Sequence, residues 1–306
     1  MKQLIIFVTA VLLISSCSSI AKKDHATEKG LVPVLTFVFD DGNDTDYLVA
    51  REVFKKQGVA ASFAVVTGWI NKKNYLTVSQ LLELQGDGFE IMSHTVSHPD
   101  LKGLNADQIE SELSVSKTTL EGWGLRVNNL VYPYNKNNGL VRELVGKYYR
   151  SGRGGRSMLN PAEPDRYELK SYSFSHNTAK MKGLIDMAAA EGKWLILYLH
   201  NMDIKVKTSQ GNGDFQPGEE LLFSPSGIMG RYSKGLFDWF YFVPLSGTPQ
   251  PGDTITGQSS KATCYLDEIL YNEKEALTGL IEYAHSRHPG MRIVTIDKGL
   301  DIYNVK

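Results

Sequence analysis

The sequence predicts an α/β fold built on a parallel sheet, open or closed into a barrel, with one β-rich insertion. From residue 31 to residue 200, short apolar runs alternate with segments of helical spacing. Repeated strand–helix units of this kind are typical of parallel sheets. Residues 203–270 break the alternation with glycine, proline and several β-like runs. A structureless loop of this length is improbable inside a compact domain, so a small β-rich insertion is expected there.

Caps and glycines set the bounds of several elements. Thr77 and Asn105 are residue types that cap helix N-termini, and Gly58 and Gly122 follow helical segments, where glycine commonly ends a helix. The expected strands are residues 34–39, 59–66, 89–92, 129–132, 167–174, 194–199 and 291–296. The expected helices are residues 46–57, 77–86, 105–122, 140–148, 181–192 and 272–288.

Composition places the chain among ordinary globular proteins and excludes some partners. The 306 residues are 42% hydrophobic and 22% charged, which suffices for one large domain or two modest ones. The formal net charge is −1. This balance gives no electrostatic basis for binding nucleic acid or for general attraction to an anionic membrane. We therefore expect no nucleic-acid partner.

The N-terminus has the pattern of a targeting segment. The apolar run 4–14 is too short for a comfortable membrane span but fits the core of a signal peptide. Residues 14–17 resemble a bacterial lipobox, in which Cys17 is lipidated; the alternative is a plain secretory signal. We expect a lipoprotein signal peptide at 1–17, a flexible tether at 18–30 and a lipid-anchored, extracytoplasmic protein of the bacterial envelope, facing the periplasm or the cell surface.

With Cys17 lipidated, Cys264 would be the only thiol left, so no intramolecular disulfide is expected. Cys264 lies in an apolar run and is interpreted as a small core residue. The main domain is expected to comprise residues 31–202 and 271–306, and the insertion residues 203–270.

Two adjacent carboxylates follow the first expected strand. Asp40 and Asp41 come directly after an apolar run and are followed by Gly42. Parallel sheets bind ligands at the carboxyl ends of their strands, and a cation would relieve the repulsion between neighbouring carboxylates. The alternative is that the pair caps the next helix or forms a turn with Gly42.

Two histidines follow the third expected strand. His94 and His98 are four residues apart, so on a helical turn they would share one side and could share a metal. No glutamate separates them, so a zinc site here needs a further ligand and a separate base, and the Asp pair supplies both. His200 ends another apolar strand at the same edge of the sheet.

These segments together resemble the NodB-type polysaccharide deacetylases, carbohydrate esterase family 4. The motif-like segments are residues 36–42, 93–98, 131–134 and 197–200. Residues 292–296 look like the closing strand of the family, and the insertion lies outside the resemblance. The resemblance implies a distorted (β/α)7-type barrel, the NodB homology domain, with its site on the C-terminal face and the β-rich insertion before the last helix and strand.

The resemblance also implies roles for individual residues. It implies a divalent metal, expected to be zinc, held by Asp41, His94 and His98. Asp40 would be the general base. The backbone N–H of Tyr134 would help to hold the oxyanion, and His200 would be the general acid.

Two family features are missing. The arginine of the third motif is Val131 here, and the Asp-Trp motif that supports the acid histidine has no clear counterpart. Arg153 and Arg156 are candidates for the arginine, and Asp165 is a candidate partner of His200.

The sequence therefore predicts a metal-dependent hydrolase acting on amide bonds other than peptide bonds. Its expected substrate is an N-acetylated polysaccharide or oligosaccharide outside the cytoplasm. Removal of O-acetyl groups from a xylan-type glycan is an alternative, as is a glycan-binding surface lipoprotein of the same fold without turnover. The aromatic cluster at 236–243 is read as the core of the insertion, or as rings such as Trp239 and Tyr241 that stack on sugars.

Overall fold

The computed structural model describes residues 32–236 and 239–305. The expected signal peptide at 1–17, its Cys17 and the tether at 18–30 lie outside these ranges. Within them, no helix combines the length and the hydrophobicity that a membrane span requires.

Strands and helices of the main domain alternate largely as predicted, but the strand Ser151–Arg153 and the helix Ile296–Ile302 were not expected. Its strands are β1 (Val34–Phe39), β2 (Ser62–Val65), β3 (Glu90–Ser93), β4 (Asn129–Val131), β5 (Ser151–Arg153), β6 (Tyr172–Ser173), β7 (Trp194–Leu199) and, after the insertion, β14 (Arg292–Ile293). Its helices are α1 (Arg51–Gln57), α2 (Val78–Gly86), α3 (Ala106–Gly122), α4 (Gly139–Tyr148), α5 (Thr178–Glu191), α6 (Glu273–Arg287) and α7 (Ile296–Ile302).

The strands of the main domain form a parallel sheet that curves towards a ring. Their order is β5-β4-β3-β2-β1-β7-β6, and β14 also pairs with β1. Leu169 bridges Arg153 of β5, and Tyr172 pairs with Leu197 of β7, so the chain between β5 and β7 joins the two sides of the sheet. The predicted distorted (β/α)7-type barrel is confirmed.

Apolar packing on both sides of β1 explains why its residues are completely buried. Phe37 and Phe39 pack edge-on against Phe54 of α1, with ring centroids 5.5 and 5.8 Å apart. Val34 and Val38 belong to a second cluster, which includes residues of α7. Parallel strands covered on both faces read as continuous hydrophobic runs, which is the pattern seen in the sequence.

Four strands are shorter than predicted, among them β2, expected at 59–66, and β4, expected at 129–132. The expected strand 167–174 is reduced to β6, because Leu169 and Tyr172 pair with different neighbours. The expected strand 291–296 ends at Ile293, because Thr295 caps α7 and its side chain accepts the N–H of Lys298. The predicted caps Thr77 and Asn105 both form capping boxes.

The insertion is a small antiparallel barrel with its own core. Its strands are β8 (Ile204–Asn212), β9 (Glu220–Ser224), β10 (Ile228–Leu236), β11 (Trp239–Pro244), β12 (Thr254–Gly257) and β13 (Thr263–Asn272). They close in the order β10-β11-β8-β13-β12-β9, which leaves no open sheet edge among them. Cys264 is buried in this core, as expected.

One ion pair ties the insertion to the main domain. Arg231 of β10 donates to both carboxylate oxygens of Asp44, at 2.5 and 2.6 Å. Both side chains are largely buried. A bidentate pair of this kind fixes orientation as well as distance, so β10 is held against the loop that follows β1.

Gly299→Ala should lower the free energy of unfolding by about 1–3 kcal/mol, the usual cost of overpacking. A Cβ at Gly299 of α7 would collide with the ring of Trp194, whose Nε1–H donates to Thr36. Gly279→Ala, in α6, is the matched control, because a Cβ at Gly279 would have no neighbouring atom within 4 Å outside the backbone of its own helix. We expect it to be neutral or to stabilise the helix by up to about 1 kcal/mol. Chemical denaturation measures both, and equal effects would contradict the packing argument.

Candidate active site

Three predicted metal ligands converge at the C-terminal edge of the sheet. Asp41, His94 and His98 present one ligand atom each, all within 4.8 Å of one another. Oδ1 of Asp41 lies 3.5 Å from Nε2 of His94 and 3.6 Å from Nε2 of His98. The two Nε2 atoms are 3.1 Å apart. One carboxylate and two imidazoles form a ligand set that suits Zn²⁺ with a position left open for substrate or water.

The prediction that the histidines share a helical turn is wrong. Residues 94–98 form a loop in which Thr95 and His98 have φ of 69° and 61°. The Thr95 hydroxyl accepts the N–H of His98 at 3.0 Å, which folds the loop back on itself. The histidines are brought together by this reversal rather than by helical periodicity.

Left-handed backbone recurs at the site. Asp41 and Tyr134 have φ of 80° and 57°. Non-glycine residues in this region cost about 1–3 kcal/mol each and concentrate at functional sites. Gly42 follows Asp41 with φ of 76°, and a Cβ there would lie 2.9 Å from Cγ1 of Val65. The sequence Asp-Asp-Gly thus meets the steric demand of a sharp turn packed against β2.

The environment of His94 prepares its ring for metal binding. Its Nδ1 lies 2.8 Å from the carbonyl oxygen of Val131, which assigns the proton to Nδ1 and leaves the Nε2 lone pair facing Asp41. Burial lowers the pKa of His94 to about 4. The imidazole is therefore neutral at neutral pH, the form that binds a metal.

The Asp41 carboxylate is short of partners. Burial raises the pKa of Asp41, and His200 opposes this shift. Its Oδ1 is buried, and no residue of the described chain donates a hydrogen bond to it. A buried carboxylate oxygen without a donor, facing the Nε2 lone pair of His94, is unfavourable without a cation. The residues present therefore fit a divalent metal.

Asp40 is held by a buried arginine. Nη2 of Arg153, at the end of β5, lies 2.5 Å from both carboxylate oxygens of Asp40. The relative exposure of Arg153 is 0% and that of Asp40 is 4%. Asn135 also accepts from Arg153, whose guanidinium lies 4.8 Å from the ring centroid of Tyr198. Of the two candidate arginines, Arg153 is the one beside Asp40, whereas Arg156 is exposed.

Of the two alternative readings of the Asp pair, the helix cap is wrong, whereas the turn with Gly42 is present. The helical turn Asp46–Ala50 has no side-chain cap. Asp40 pairs with Arg153, and Asp41 faces the histidines.

The remaining predicted residues lie around this centre. Tyr134 is in a short helical turn, Pro133–Asn135, with its ring edge-on to His98 at 4.6 Å. His200 follows β7, is half exposed, and places Nε2 4.0 Å from Oδ2 of Asp41. Asp165 is exposed and accepts the N–H of Tyr167. In residues 32–236 and 239–305 no hydrogen bond joins Asp165 to His200, so the structure does not support that pairing.

The aromatic cluster of the insertion divides between two environments. Phe240 and Phe242 are buried in the core of the insertion. Trp239, which is 44% exposed, and Tyr241 alternate with them along β11. Tyr241 lines a cavity that also includes His200. The core interpretation therefore holds for the phenylalanines, and the other two rings remain available to a ligand.

Sequence comparison identifies relatives of the first half of the chain. Residues 28–149 match the sequence model of the family described as Polysaccharide deacetylase. The Bacillus subtilis (strain 168) protein YxkH, assigned by name to the polysaccharide deacetylases, is 34% identical over 101 residues. These residues are 33% of this chain and 36% of YxkH, so the chain matches about a third of that relative.

Two further comparisons extend beyond this region. A gellan lyase of a Bacillus species is 29% identical over 268 residues, which are 85% of this chain and 10% of the lyase. The Xyl-CE4 domain of a multidomain xylanase from the hindgut metagenome of Trinervitermes trinervoides has a similar fold, with a TM-score of 0.50. That match covers 90% of this chain and 92% of the domain at 17% identity, and it supports the fold alone.

Arg153→Met should lower the free energy of unfolding by about 3–5 kcal/mol, because it leaves the buried Asp40 carboxylate without its partner. Arg156→Met, in the same glycine-rich segment, is the control and should change stability by less than about 0.5 kcal/mol, since Arg156 is exposed. Denaturant unfolding at neutral pH measures both. Equal stability of the two variants would contradict the assignment of Arg153.

The three converging residues should bind one Zn²⁺ per chain. Asp41→Asn and His94→Ala should each weaken zinc binding by more than about 100-fold. Loss of a residue that only supports a metal ligand costs up to about 100-fold, and these two residues are the proposed ligands themselves. Competition with a chromogenic chelator measures the affinity. His285→Ala is the control, because His285 is exposed on α6 and should bind zinc as the wild type does. Unchanged affinity in the first two variants would exclude this site.

Proposed function

We propose that the protein is a metal-dependent hydrolase that removes N-acetyl groups from an extracytoplasmic polysaccharide or oligosaccharide, as the match of residues 28–149 to the polysaccharide deacetylase family suggests. The observation that carries the proposal is the convergence of Asp41, His94 and His98 beside Asp40, which Arg153 holds in place. Family membership alone would not require these side chains to meet, so their geometry is a separate line of support.

Asp41, His94 and His98 would hold the metal, with zinc as our proposal for its identity. When bound, such an ion polarises the acetyl carbonyl and makes water more acidic. The neutral state of His94 and its hydrogen bond to the Val131 carbonyl keep one nitrogen directed at this position.

Asp40 acts as the general base in this proposal. Arg153 contacts both oxygens of its carboxylate, so the carboxylate cannot rotate away from the site. It accepts the proton of the attacking water, and the guanidinium keeps the carboxylate in position. Arg153, on β5, would therefore position the base. Val131, which stands in place of the arginine of the third motif, cannot do so.

Tyr134 and His200 complete the reaction. The backbone N–H of Tyr134 donates to the oxygen that becomes negative, and the left-handed turn sets its direction. His200 is half exposed and lies within 4.0 Å of Asp41. As a general acid it protonates the departing nitrogen, which would otherwise leave as an unstable anion. The same arrangement would release an alcohol from an O-acetyl ester, and N-acetyl is our proposal because an amine needs this proton more.

The N-terminal segment supports a location outside the cytoplasm. The apolar run 4–14 and the lipobox-like residues 14–17 suit export and attachment through Cys17. We propose that the enzyme is lipid-anchored in the bacterial envelope and meets its glycan there.

Acetate release from a panel of N-acetylated and O-acetylated glycans tests this function. The wild-type enzyme should release acetate with a bell-shaped pH profile, because a base and an acid act together, and a chelator should abolish release. Asp40→Asn should lower kcat by about 10²–10⁴-fold with zinc still bound. Asp165→Asn is the control and should keep full activity. Glycan binding without acetate release, unaffected by Asp40→Asn, would instead identify a binding protein of this fold.

A further inference from the structure

A cavity of about 300 Å³ lies where the insertion meets the C-terminal face of the main domain. His200 is part of its wall, so the cavity opens directly beside the proposed reaction centre. Its volume is at the lower end of the usual range for small-molecule sites, roughly 300–1,000 Å³, and suits a single sugar unit. Part of its wall, including Asp203, Lys205, Lys234 and Tyr241, comes from the insertion, which lies outside the family resemblance.

Two lysines of the insertion bring positive charge to this cavity. Nζ of Lys205 lies 3.3 Å from the ring centroid of Trp239 and 5.5 Å from that of Tyr241. Nζ of Lys234 lies 4.9 Å from the ring centroid of Tyr241. Within residues 32–236 and 239–305, no carboxylate lies within 4.0 Å of either ammonium group. Cation–π contacts orient an ammonium group without neutralising its charge, so both remain available to an anion.

The acidic residues of the cavity are directed inwards. Glu273 accepts the backbone N–H of Asp203 at 3.0 Å, and Asp203 accepts the hydroxyl of Ser233 at 3.2 Å. Burial, and next the charge of Glu273, raise the pKa of Asp203 to about 6. The other carboxylate oxygen of Asp203 is buried and has no donor in the described chain.

A flat surface completes the wall. The rings of His176 and Tyr271 are stacked, with centroids 3.6 Å apart and planes 20° from parallel. His176 is exposed, and both rings belong to the wall of the cavity. Flat rings of this kind contact the C–H face of a sugar while polar neighbours bind its hydroxyls. The cavity therefore combines a pair of stacked rings with two lysine ammonium groups that form no ion pair within the described residues.

We propose that this cavity binds an acidic sugar unit next to the acetylated unit, so that the substrate is an acetylated anionic glycan rather than a neutral one. The proposal rests on the proposed function for the reaction at the neighbouring unit. Lys205 and Lys234 bind the anionic substituent, and the stacked pair carries the ring. An ammonium group accepts carboxylate and sulfate alike, so the substituent is to be identified by experiment.

Calorimetric titration of the full chain tests the cavity without turnover. The probes are deacetylated oligosaccharides that contain a uronic acid, the same oligosaccharides after reduction of the carboxyl group, and a sulfated series. We expect one acidic series to bind at least tenfold more tightly than the reduced, neutral one, and that series identifies the substituent. Lys205→Gln with Lys234→Gln should remove the preference. Lys261→Gln, at an exposed turn of the insertion, should retain it.

The kinetic arm compares acetylated forms of the same oligosaccharides. The double variant should lose at least tenfold in kcat/KM on the acidic substrate, through KM, and nothing on the neutral one. Equal binding of acidic and neutral probes by the wild type would overturn the cavity proposal, whatever the activity. Tight, lysine-dependent binding with no acetate release from any substrate would instead overturn the proposed function and leave the cavity assignment in place.

Discussion

The ion pair between Asp40 and Arg153 is the contact on which the site depends. Asp40 follows β1 and Arg153 ends β5, two strands that are not neighbours in the sheet, so the pair spans the mouth of the barrel. Burying both charges costs several kcal/mol per ion, and only close contact together with further hydrogen bonds repays that cost. The pair therefore contributes little net stability while it fixes where β5 stands relative to β1. Because Asp41 directly follows Asp40, the same arrangement also fixes the position of Asp41.

Backbone strain at the site is a second energetic cost, which the packing of the barrel must offset. Asp41, His98 and Tyr134 all adopt left-handed backbone, and Asp41 also carries a buried oxygen without a donor. Such conformations persist only where the surrounding structure leaves no alternative. Here the parallel strands beneath are fully buried and packed on both faces. The strain is thus concentrated in turns above a rigid sheet, where a cation would recover part of its cost.

The sequence predicted those parts of the site whose position depends on where the strands end. The apolar runs before Asp40 and His94 show that both reach one edge of a parallel sheet, and the structure brings them there. The helical turn proposed for the histidines was wrong, because side-chain hydrogen bonding by Thr95 stabilises a reversal that periodicity cannot show. Arg153 was only one of two candidates. Its selection depends on the pairing of β4 with β5, a tertiary fact with no local signal.

The family resemblance predicts a type of reaction but not the substrate, because the insertion beside the site lies outside the resemblance. The chain of the insertion returns to the main domain at both ends, through β8 just after His200 and β13 just before α6. The Arg231–Asp44 pair adds a third fixed point beside the turn that carries Asp41. A small barrel held at these points cannot move far from the reaction centre. Its alternating strand β11 therefore presents Tyr241 outward beside His200, while Phe240 supports the core behind it.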